Sequence, residues 1–233
     1  MKKLFGIVLF CVSCLASQEL DFERESTLQN MCDDGDVEKC VMLGSLYHRG
    51  EGVSLNYAHA IKLYSEACAK NYGKGCTQLG FIYENGHGVK SDQSKALAYY
   101  QEGCRKGDGG GCASVALYYE NGTGVAQNHT TALAYFQHAC ESAEASACEK
   151  VGYGYEHGVG VEISAVNAAR FYHEACLMGL ASSCVREGTM YYHGEGVARN
   201  ASKAFALFSR ACALGESSGC KNVEALKAAR WFE

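Results

Sequence analysis

A pair of cysteines with seven residues between them recurs six times in this chain, at a fixed spacing of 36 residues. One example is Cys68-Ala-Lys-Asn-Tyr-Gly-Lys-Gly-Cys76, and no insertion or deletion interrupts the spacing on either side of it. The pairs are Cys32/Cys40, Cys68/Cys76, Cys104/Cys112, Cys140/Cys148, Cys176/Cys184 and Cys212/Cys220. A constant period of this length is typical of a solenoid, in which each unit buries its apolar face by stacking on its neighbours.

Residues 1–17 have the pattern of an export signal. Lys2 and Lys3 precede an apolar run over 4–15, and two small residues end the segment. The run is too short to span a bilayer, so we expect a mature chain that is secreted or periplasmic and has no membrane contact after signal removal. A lipoprotein acylated at Cys14 is the alternative, although the usual leucine three positions earlier is missing.

The cysteines that remain after the leader indicate disulfides. Two of the 14 cysteines lie in the leader, and the even number left in an exported chain is typical of an oxidising compartment. Spacing does not normally decide connectivity, but the repeat favours a bridge inside each of the six pairs. Zinc is the alternative, and its ligands usually form closer cysteine pairs, so we expect no metal.

Charge excludes one class of partner. Loss of Lys2 and Lys3 with the leader changes the formal charge from −5 to −7. A nucleic-acid-binding protein needs a basic stripe, so no nucleic-acid partner is expected.

Each repeat predicts two helices. After the second cysteine, Cys76, Leu79, Gly80, Ile82 and Tyr83 fall in one sector at 100° per residue, which predicts a first helix, helix A, over about 73–85. Its end is marked by Gly-x-Gly-Val, because glycine adopts the left-handed cap conformation. This turn begins at Gly50, Gly86, Gly122, Gly158 and Gly194.

A second helix of about 14 residues, helix B, follows in each repeat. It begins after a residue whose side chain caps a helix N-terminus: Asn56, Asp92, Asn128, Ser164 and Asn200. Its apolar face in the second repeat is formed by Ala96, Leu97, Tyr99, Tyr100, Gly103 and Cys104. Its end is expected at Asn71, Gly107, Ala143, Gly179 and Gly215.

These patterns predict one all-α domain over 19–233. It contains five units whose second cysteines are Cys40, Cys76, Cys112, Cys148 and Cys184. A lone helix B over 21–32 opens the array, and a C-terminal cap over 220–233 closes it with a helix over 223–233 that carries Leu226 and Trp231.

The residues Leu79-Gly80-x-x-Tyr83-x-x-Gly86-x-Gly88-Val89, followed by Lys95-Ala96-x-x-Tyr99-Tyr100, resemble the Sel1-like repeat, a relative of the tetratricopeptide repeat. Sel1-like repeats usually have alanines where this chain has cysteines, and the substitution resembles the Helicobacter cysteine-rich protein family. The resemblance implies a right-handed α/α superhelix with disulfides inside each pair, and secretion. It also implies penicillin binding and weak β-lactamase activity, and recognition by the host immune system. Three departures from the pattern are Ala116 for the motif glycine, Glu187 for the motif leucine and Gly103 for an alanine.

Catalytic motifs are scarce. A serine β-lactamase needs S-x-x-K with two companion elements, and the one S-x-x-K, Ser218 to Lys221, stands without them at a cysteine junction. The eight histidines form neither H-x-H nor H-E-x-x-H, so we expect no catalytic metal and no cofactor.

The face of helix A opposite its core sector varies from repeat to repeat while the scaffold positions stay fixed. In a helical-hairpin solenoid this face lines the concave groove. Its middle row is Ser45, Phe81, Leu117, Tyr153 and Thr189, beside which run His48, Glu84, Glu120, Glu156 and Tyr192, and then Arg49, Asn85, Asn121, His157 and His193. Apolar anchors with a polar rim are typical of a partner-binding patch, and Asn85 and Asn121 are expected to pair with the backbone of an extended peptide.

The sequence therefore favours a secreted scaffold that binds a peptide, a protein or a peptidoglycan-type cell-wall fragment in its groove. The alternative, which rests on the resemblance alone, is a weak β-lactamase or penicillin-binding enzyme that takes β-lactam compounds.

Overall fold

The computed structural model describes residues 23–228, which contain twelve helical segments and no strand. The chain divides into two compact units, one ending at Lys106 and the other beginning at Gly107. The expected signal segment and Trp231 lie outside the described residues. No helix within 23–228 is both long and apolar enough to cross a membrane.

The first unit contains an opening helix and two helical hairpins. Helix α1 covers the described residues 23–33. It is followed by α2 (Val37–Arg49), α3 (Tyr57–Ala69), α4 (Gly73–Asn85) and α5 (Gln93–Arg105). The predicted helix over 73–85 coincides with α4.

The second unit contains three hairpins and a closing helix. Its helices are α6 (Gly109–Asn121), α7 (His129–Glu141), α8 (Ala145–His157), α9 (Ala165–Leu177), α10 (Ala181–His193), α11 (Ala201–Ala213) and α12 (Ser217–Ala228). In both units the even-numbered helices α2 to α10 are the predicted helices A, and the odd-numbered helices α3 to α11 are the helices B.

The predicted cap residues of the helices B form the expected hydrogen bonds. In α5 the Asp92 carboxylate accepts the backbone N–H of Lys95 at 2.9 Å, which satisfies one of the donors that a helix start leaves free. The same bond is made by Asn56, Asn128, Ser164 and Asn200. At the other end, Asn71 and Ala143 are the two non-glycine residues with positive φ among the described residues.

The motif glycine allows helix A to approach a ring of helix B. A Cβ atom at Gly80 would lie 2.6 Å from Cδ1 of Tyr100, and one at Gly152 would lie 2.8 Å from Cδ1 of Tyr172. These distances are shorter than van der Waals contact, so the glycine is required for the packing. Ala116, which replaces this glycine in the third repeat, is fully buried.

Within each unit, disulfides join the end of a helix B to the start of the next helix A. Cα atoms 4.6 to 4.7 Å apart carry the bridges Cys32–Cys40, Cys68–Cys76, Cys140–Cys148, Cys176–Cys184 and Cys212–Cys220. Cys104 and Cys112 are disulfide-bonded as well. The predicted all-α, disulfide-stapled repeat fold is therefore confirmed.

The closing helix α12 begins earlier than expected. It starts at Ser217, whereas the sequence predicted Val223 as the start. A Cβ atom at Gly219 would lie 2.8 Å from that of Ala211, so α12 packs on α11 as a helix A does. The predicted cap residue Leu226 is buried against Ala204 and Phe208 of α11.

Candidate binding faces

The middle row of helix A presents large apolar side chains to solvent. Phe81 on α4, Leu117 on α6 and Tyr153 on α8 are 41%, 42% and 42% exposed. Their neighbours Leu79 and Ile82 are buried. The same positions of helix A are therefore exposed in each of these repeats, on the face opposite the buried sector. Ser45 and Thr189, which end the predicted row, are half-buried.

The glutamates beside this row hold helix A to helix B. The Tyr100 hydroxyl donates to Glu84 at 2.7 Å, and the Tyr172 hydroxyl donates to Glu156 at 2.5 Å. The pKa of the Tyr172 hydroxyl is raised, mainly by burial and secondly by the bond to the Glu156 carboxylate. These carboxylates therefore bond within their own repeat.

In the second unit, two glutamates of this row bond to the next repeat. Lys150 Nζ lies 3.1 Å from each oxygen of Glu120, and Arg186 lies 3.5 Å from Glu156. In both cases the partner is 30 residues further along the chain. The row that was predicted as a polar rim is thus largely engaged within the chain.

The outermost predicted positions have local partners. The side-chain amide of Asn85 donates to the Phe81 carbonyl of its own helix at 2.9 Å, so this donor group already has a partner. Asn121 is exposed at the end of α6. The His157 ring stacks on Tyr153 with a centroid distance of 4.1 Å. Apolar stacking therefore extends the exposed surface around Tyr153.

The second unit has a cleft beside the last predicted positions. Thr189, Tyr192 and His193 of α10 line it, and its volume is about 270 Å³. Its other walls are Phe208, Asn222, Ala225 and Leu226. A further cleft of about 390 Å³ has Glu156, Arg186 and Glu195 among its lining residues.

In the first unit the structure adds residues that the sequence reasoning missed. His48 of α2 meets His87 of the Gly-x-Gly turn, with His48 Nε2 2.8 Å from His87 Nδ1. Tyr57 stacks on His87 at 5.3 Å, and Phe81 lies 5.7 Å from each imidazole. Neither Tyr57 nor His87 was among the predicted site residues. The signal in the sequence was an offset of 39 residues, which also separates Glu156 from Glu195, two residues that line the second cleft.

The residues of the accidental S-x-x-K lie in the first turn of α12. The Ser218 hydroxyl donates to Glu216 at 2.8 Å, and the Ser218 backbone N–H donates to the same oxygen at 3.2 Å. These bonds lower the pKa of Glu216. Both bonds join Ser218 to the residue just before α12, so they belong to the start of this helix.

One cluster of metal-ligand types occurs in the described part of the chain. The ligand atoms of Cys140, Cys148 and Glu174 lie within 4.8 Å of one another. Both sulfurs belong to one disulfide, so this cluster offers a single carboxylate and no thiolate to an ion.

Hairpins of 13-residue helices, joined by a glycine turn and repeated every 36 residues, define the class of helical-repeat scaffolds. The model of the Sel1 repeat matches residues 40–72, 73–108, 111–143, 145–180 and 181–216. The chain therefore belongs to the Sel1 repeat family, whose members are scaffolds for protein–protein interaction.

Solved structures that are similar to this chain come from several bacteria. A protective antigen of uropathogenic Escherichia coli with an SLR fold is 25% identical with a TM-score of 0.76, and the match covers 91% of this chain and 48% of the antigen. A Sel1 repeat protein from Oxalobacter formigenes is 24% identical with a TM-score of 0.71, over 82% of this chain and 78% of that one. Cysteine-rich protein B of Helicobacter pylori is 32% identical with a TM-score of 0.45, over 57% of this chain and 96% of that one.

The chain thus spans about half the length of the Escherichia coli antigen. No curated protein sequence matches the chain at a significant level.

Proposed function

We propose that this chain is an exported scaffold that binds an extended peptide segment of a partner on the exposed faces of its helices A, the faces predicted to line the groove. The observation that carries the proposal is the exposure of Leu117 and Tyr153 at equivalent positions of two successive repeats of the second unit; Phe81 is exposed at the same position of its repeat in the first unit. Large side chains that stay exposed at a repeated position give a peptide anchor points at regular intervals. The peptide stem of a cell-wall fragment belongs to the same ligand chemistry.

The geometry of the second unit supports this proposal. Lys150 and Arg186 draw the carboxylates of Glu120 and Glu156 into bonds within the chain, which leaves the apolar rings of this face as its main exposed feature. The cleft beside Thr189 and Tyr192 has an apolar wall, Phe208 and Leu226, suited to one side chain of a ligand.

Export is part of the proposal. All 12 cysteines of the described residues are disulfide-bonded, and such bonds persist in oxidising, extracytoplasmic compartments. The segment over 1–17 supplies the export signal in this proposal.

A peptide-display selection tests the binding. The wild-type mature chain is used to select from a random peptide library, and each enriched peptide is then titrated against the double variant Leu117→Ala/Tyr153→Ala. We expect the variant to lose at least tenfold in affinity, because two anchors of about 1 kcal/mol or more each are removed. Its melting temperature should stay close to that of the wild type, since both side chains are exposed.

A matched control comes from the same unit. Ile163 and Val166 are 71% and 66% exposed and lie outside the predicted groove. The double variant Ile163→Ala/Val166→Ala should bind as the wild type does. Equal losses in the two double variants, or enrichment of no peptide at all by the wild type, would refute the proposal.

The resemblance to cysteine-rich proteins also implies β-lactam hydrolysis, and no arrangement of side chains in the described residues favours this activity. The direct measurement is steady turnover of a chromogenic cephalosporin by highly purified protein. We expect none above background. Turnover that Ser218→Ala abolishes would establish a site at α12, whereas turnover that survives it would have to be traced to another residue or to a contaminating enzyme.

A further inference from the structure

Two histidines from different repeats place ring nitrogens against each other in the first unit. His48 Nε2 and His87 Nδ1 are 2.8 Å apart, and the planes of the two imidazoles are inclined by 51°. Both rings are half-buried. A contact between two nitrogens of this kind requires at least one imidazole to be neutral, because two imidazolium rings would offer only donors.

The rings are held in this arrangement by their neighbours. Tyr57 stacks on His87, and Phe81 meets both imidazoles edge-on. The turn that carries His87 fits against Tyr57 because a Cβ atom at Gly88 would lie 2.5 Å from the tyrosine Cβ. Packing thus brings the two imidazoles from different repeats together before any ligand arrives, and binding has only to turn the rings.

His48 also departs from the chemistry of its row. The equivalent Glu84 and Glu156 accept the hydroxyls of Tyr100 and Tyr172. The hydroxyl of the corresponding Tyr64 is not bonded to His48; it is buried and interacts with Ser45. A histidine at this position therefore gives up the bond to the tyrosine that glutamate makes elsewhere in the chain.

We propose that His48 Nε2 and His87 Nδ1 form a chelating site for a divalent copper or nickel ion. Two nitrogens bound at right angles to one ion, each about 2.0 Å from it, lie about 2.8 Å apart, whereas a tetrahedral angle requires about 3.3 Å. The observed 2.8 Å is the length of the N–H···N hydrogen bond of the free pair, and it brings both imidazole nitrogens within reach of one ion; copper(II) is the divalent ion that such nitrogens bind most tightly, and nickel(II) shares its preference for right-angled positions. Binding needs a rotation of the rings, so that both lone pairs point to one side of the line between the nitrogens.

The proton balance of this step is simple. In the free pair one ring donates its N–H to the other. In the bound pair the ion takes both facing lone pairs, and each imidazole carries its proton on its remaining nitrogen, Nδ1 of His48 and Nε2 of His87. The nearest cation on α2, Arg49, is paired with Glu51 at 3.1 Å, which moderates its repulsion of an incoming ion. Water fills the other coordination positions.

Calorimetric titration of the tag-free mature chain, freed of metal with EDTA, tests the site. Copper(II) chloride and nickel(II) chloride are added in a weakly coordinating buffer. We expect one strong site per chain, and at least a tenfold loss of affinity in His48→Gln and in His87→Gln. The double variant should lose little more than either single variant, because one nitrogen alone cannot chelate. His129→Gln, a change at an exposed histidine of the other unit, should bind as the wild type does.

A spectroscopic measurement on the wild type makes the test independent of variant folding. The electron paramagnetic resonance spectrum of the copper complex at one equivalent should show two equatorial imidazole nitrogens. Zinc(II), which prefers tetrahedral angles, should bind more weakly than copper(II). The proposal is overturned if the wild type binds no ion, if the spectrum shows fewer than two imidazole nitrogens, or if His129→Gln weakens binding as much as the pair variants do.

Discussion

Replacing Glu187 by leucine should stabilise the fold. Glu187 of α10 occupies the position of Leu79 and Val151, and it is only 4% exposed. Its Oε1 lies 2.8 Å from Nδ1 of His173, while its Oε2 is buried without a hydrogen-bond partner among the described residues. At a position that is apolar in the other repeats, the chain therefore buries a carboxylate of which one oxygen has no hydrogen bond.

The magnitude follows from these contacts. Leaving a buried oxygen unsatisfied costs about 1–3 kcal/mol, and Glu187→Leu removes this cost. The variant also loses the pair with His173, which is worth about 0–1 kcal/mol because the imidazole is half-exposed. We therefore expect a net gain of about 1–2 kcal/mol at neutral pH, which corresponds to a rise in melting temperature of about 2–8 °C.

The gain should also depend on pH. Burial raises the pKa of Glu187, against the opposing effects of His173, Arg210 and Lys203. An acid with a raised pKa in the folded state binds more protons there than in the unfolded chain, so wild-type stability falls as pH rises through that pKa. The stability advantage of Glu187→Leu should consequently be larger at pH 7.5 than at pH 5.

Urea unfolding followed by circular dichroism, with the disulfides intact, measures both effects. Glu187→Gln serves as the matched variant, since it removes the charge and keeps the polar atoms. It should fall short of the leucine variant at pH 7.5. A leucine variant that is less stable than the wild type, or an advantage that does not shrink towards pH 5, would refute the reasoning.

Two further predictions concern the scaffold. Asp92→Ala should lower the free energy of unfolding by about 1 kcal/mol, because the bond to the Lys95 N–H is lost; Asp92→Asn keeps an acceptor and should recover most of that loss in the same urea assay. The double variant Cys212→Ala/Cys220→Ala should lose about 2–3 kcal/mol, the value expected for a short closed loop, and mass spectrometry after alkylation should find no reactive thiol in the wild-type mature chain before reduction. Alkylation without reductant would contradict the disulfide assignment.

The helices and their ends could be predicted from the sequence because each capping signal recurs at the same position in five repeats. A single capping residue such as Asp92 is weak evidence, but the same chemistry at Asn128 and Asn200, always in register, leaves one solution for where a helix B begins. The exposed sector of helix A follows from the same register. The start of α12 at Ser217 was predicted too late, at Val223, because the Gly-x-Gly-Val turn that marks a helix A is absent after Cys220. Gly219 nevertheless packs on α11 as a glycine of helix A does.

The partners of the predicted site residues could not be found from a helical projection of one repeat. Glu120 bonds to Lys150, and His48 meets His87, through offsets of 30 and 39 residues that are neither a helical period nor the repeat length. Such contacts depend on how one hairpin packs against the next, and the residue pattern within one repeat does not determine that packing. Repetition would have revealed them, since Glu156 meets Arg186 by the same offset of 30.

Variation along the row that contains His48, Glu84, Glu120 and Glu156 is therefore linked to the packing beneath it. Where helix B supplies Tyr100 or Tyr172, helix A supplies a glutamate that accepts the hydroxyl; where helix B supplies Phe136, Glu120 bonds to the next repeat instead. His48 above Tyr64 breaks this rule, and its ring contacts the imidazole of His87 instead of the tyrosine hydroxyl. The exception in the row of glutamates is therefore the residue that supplies one half of the proposed ion site.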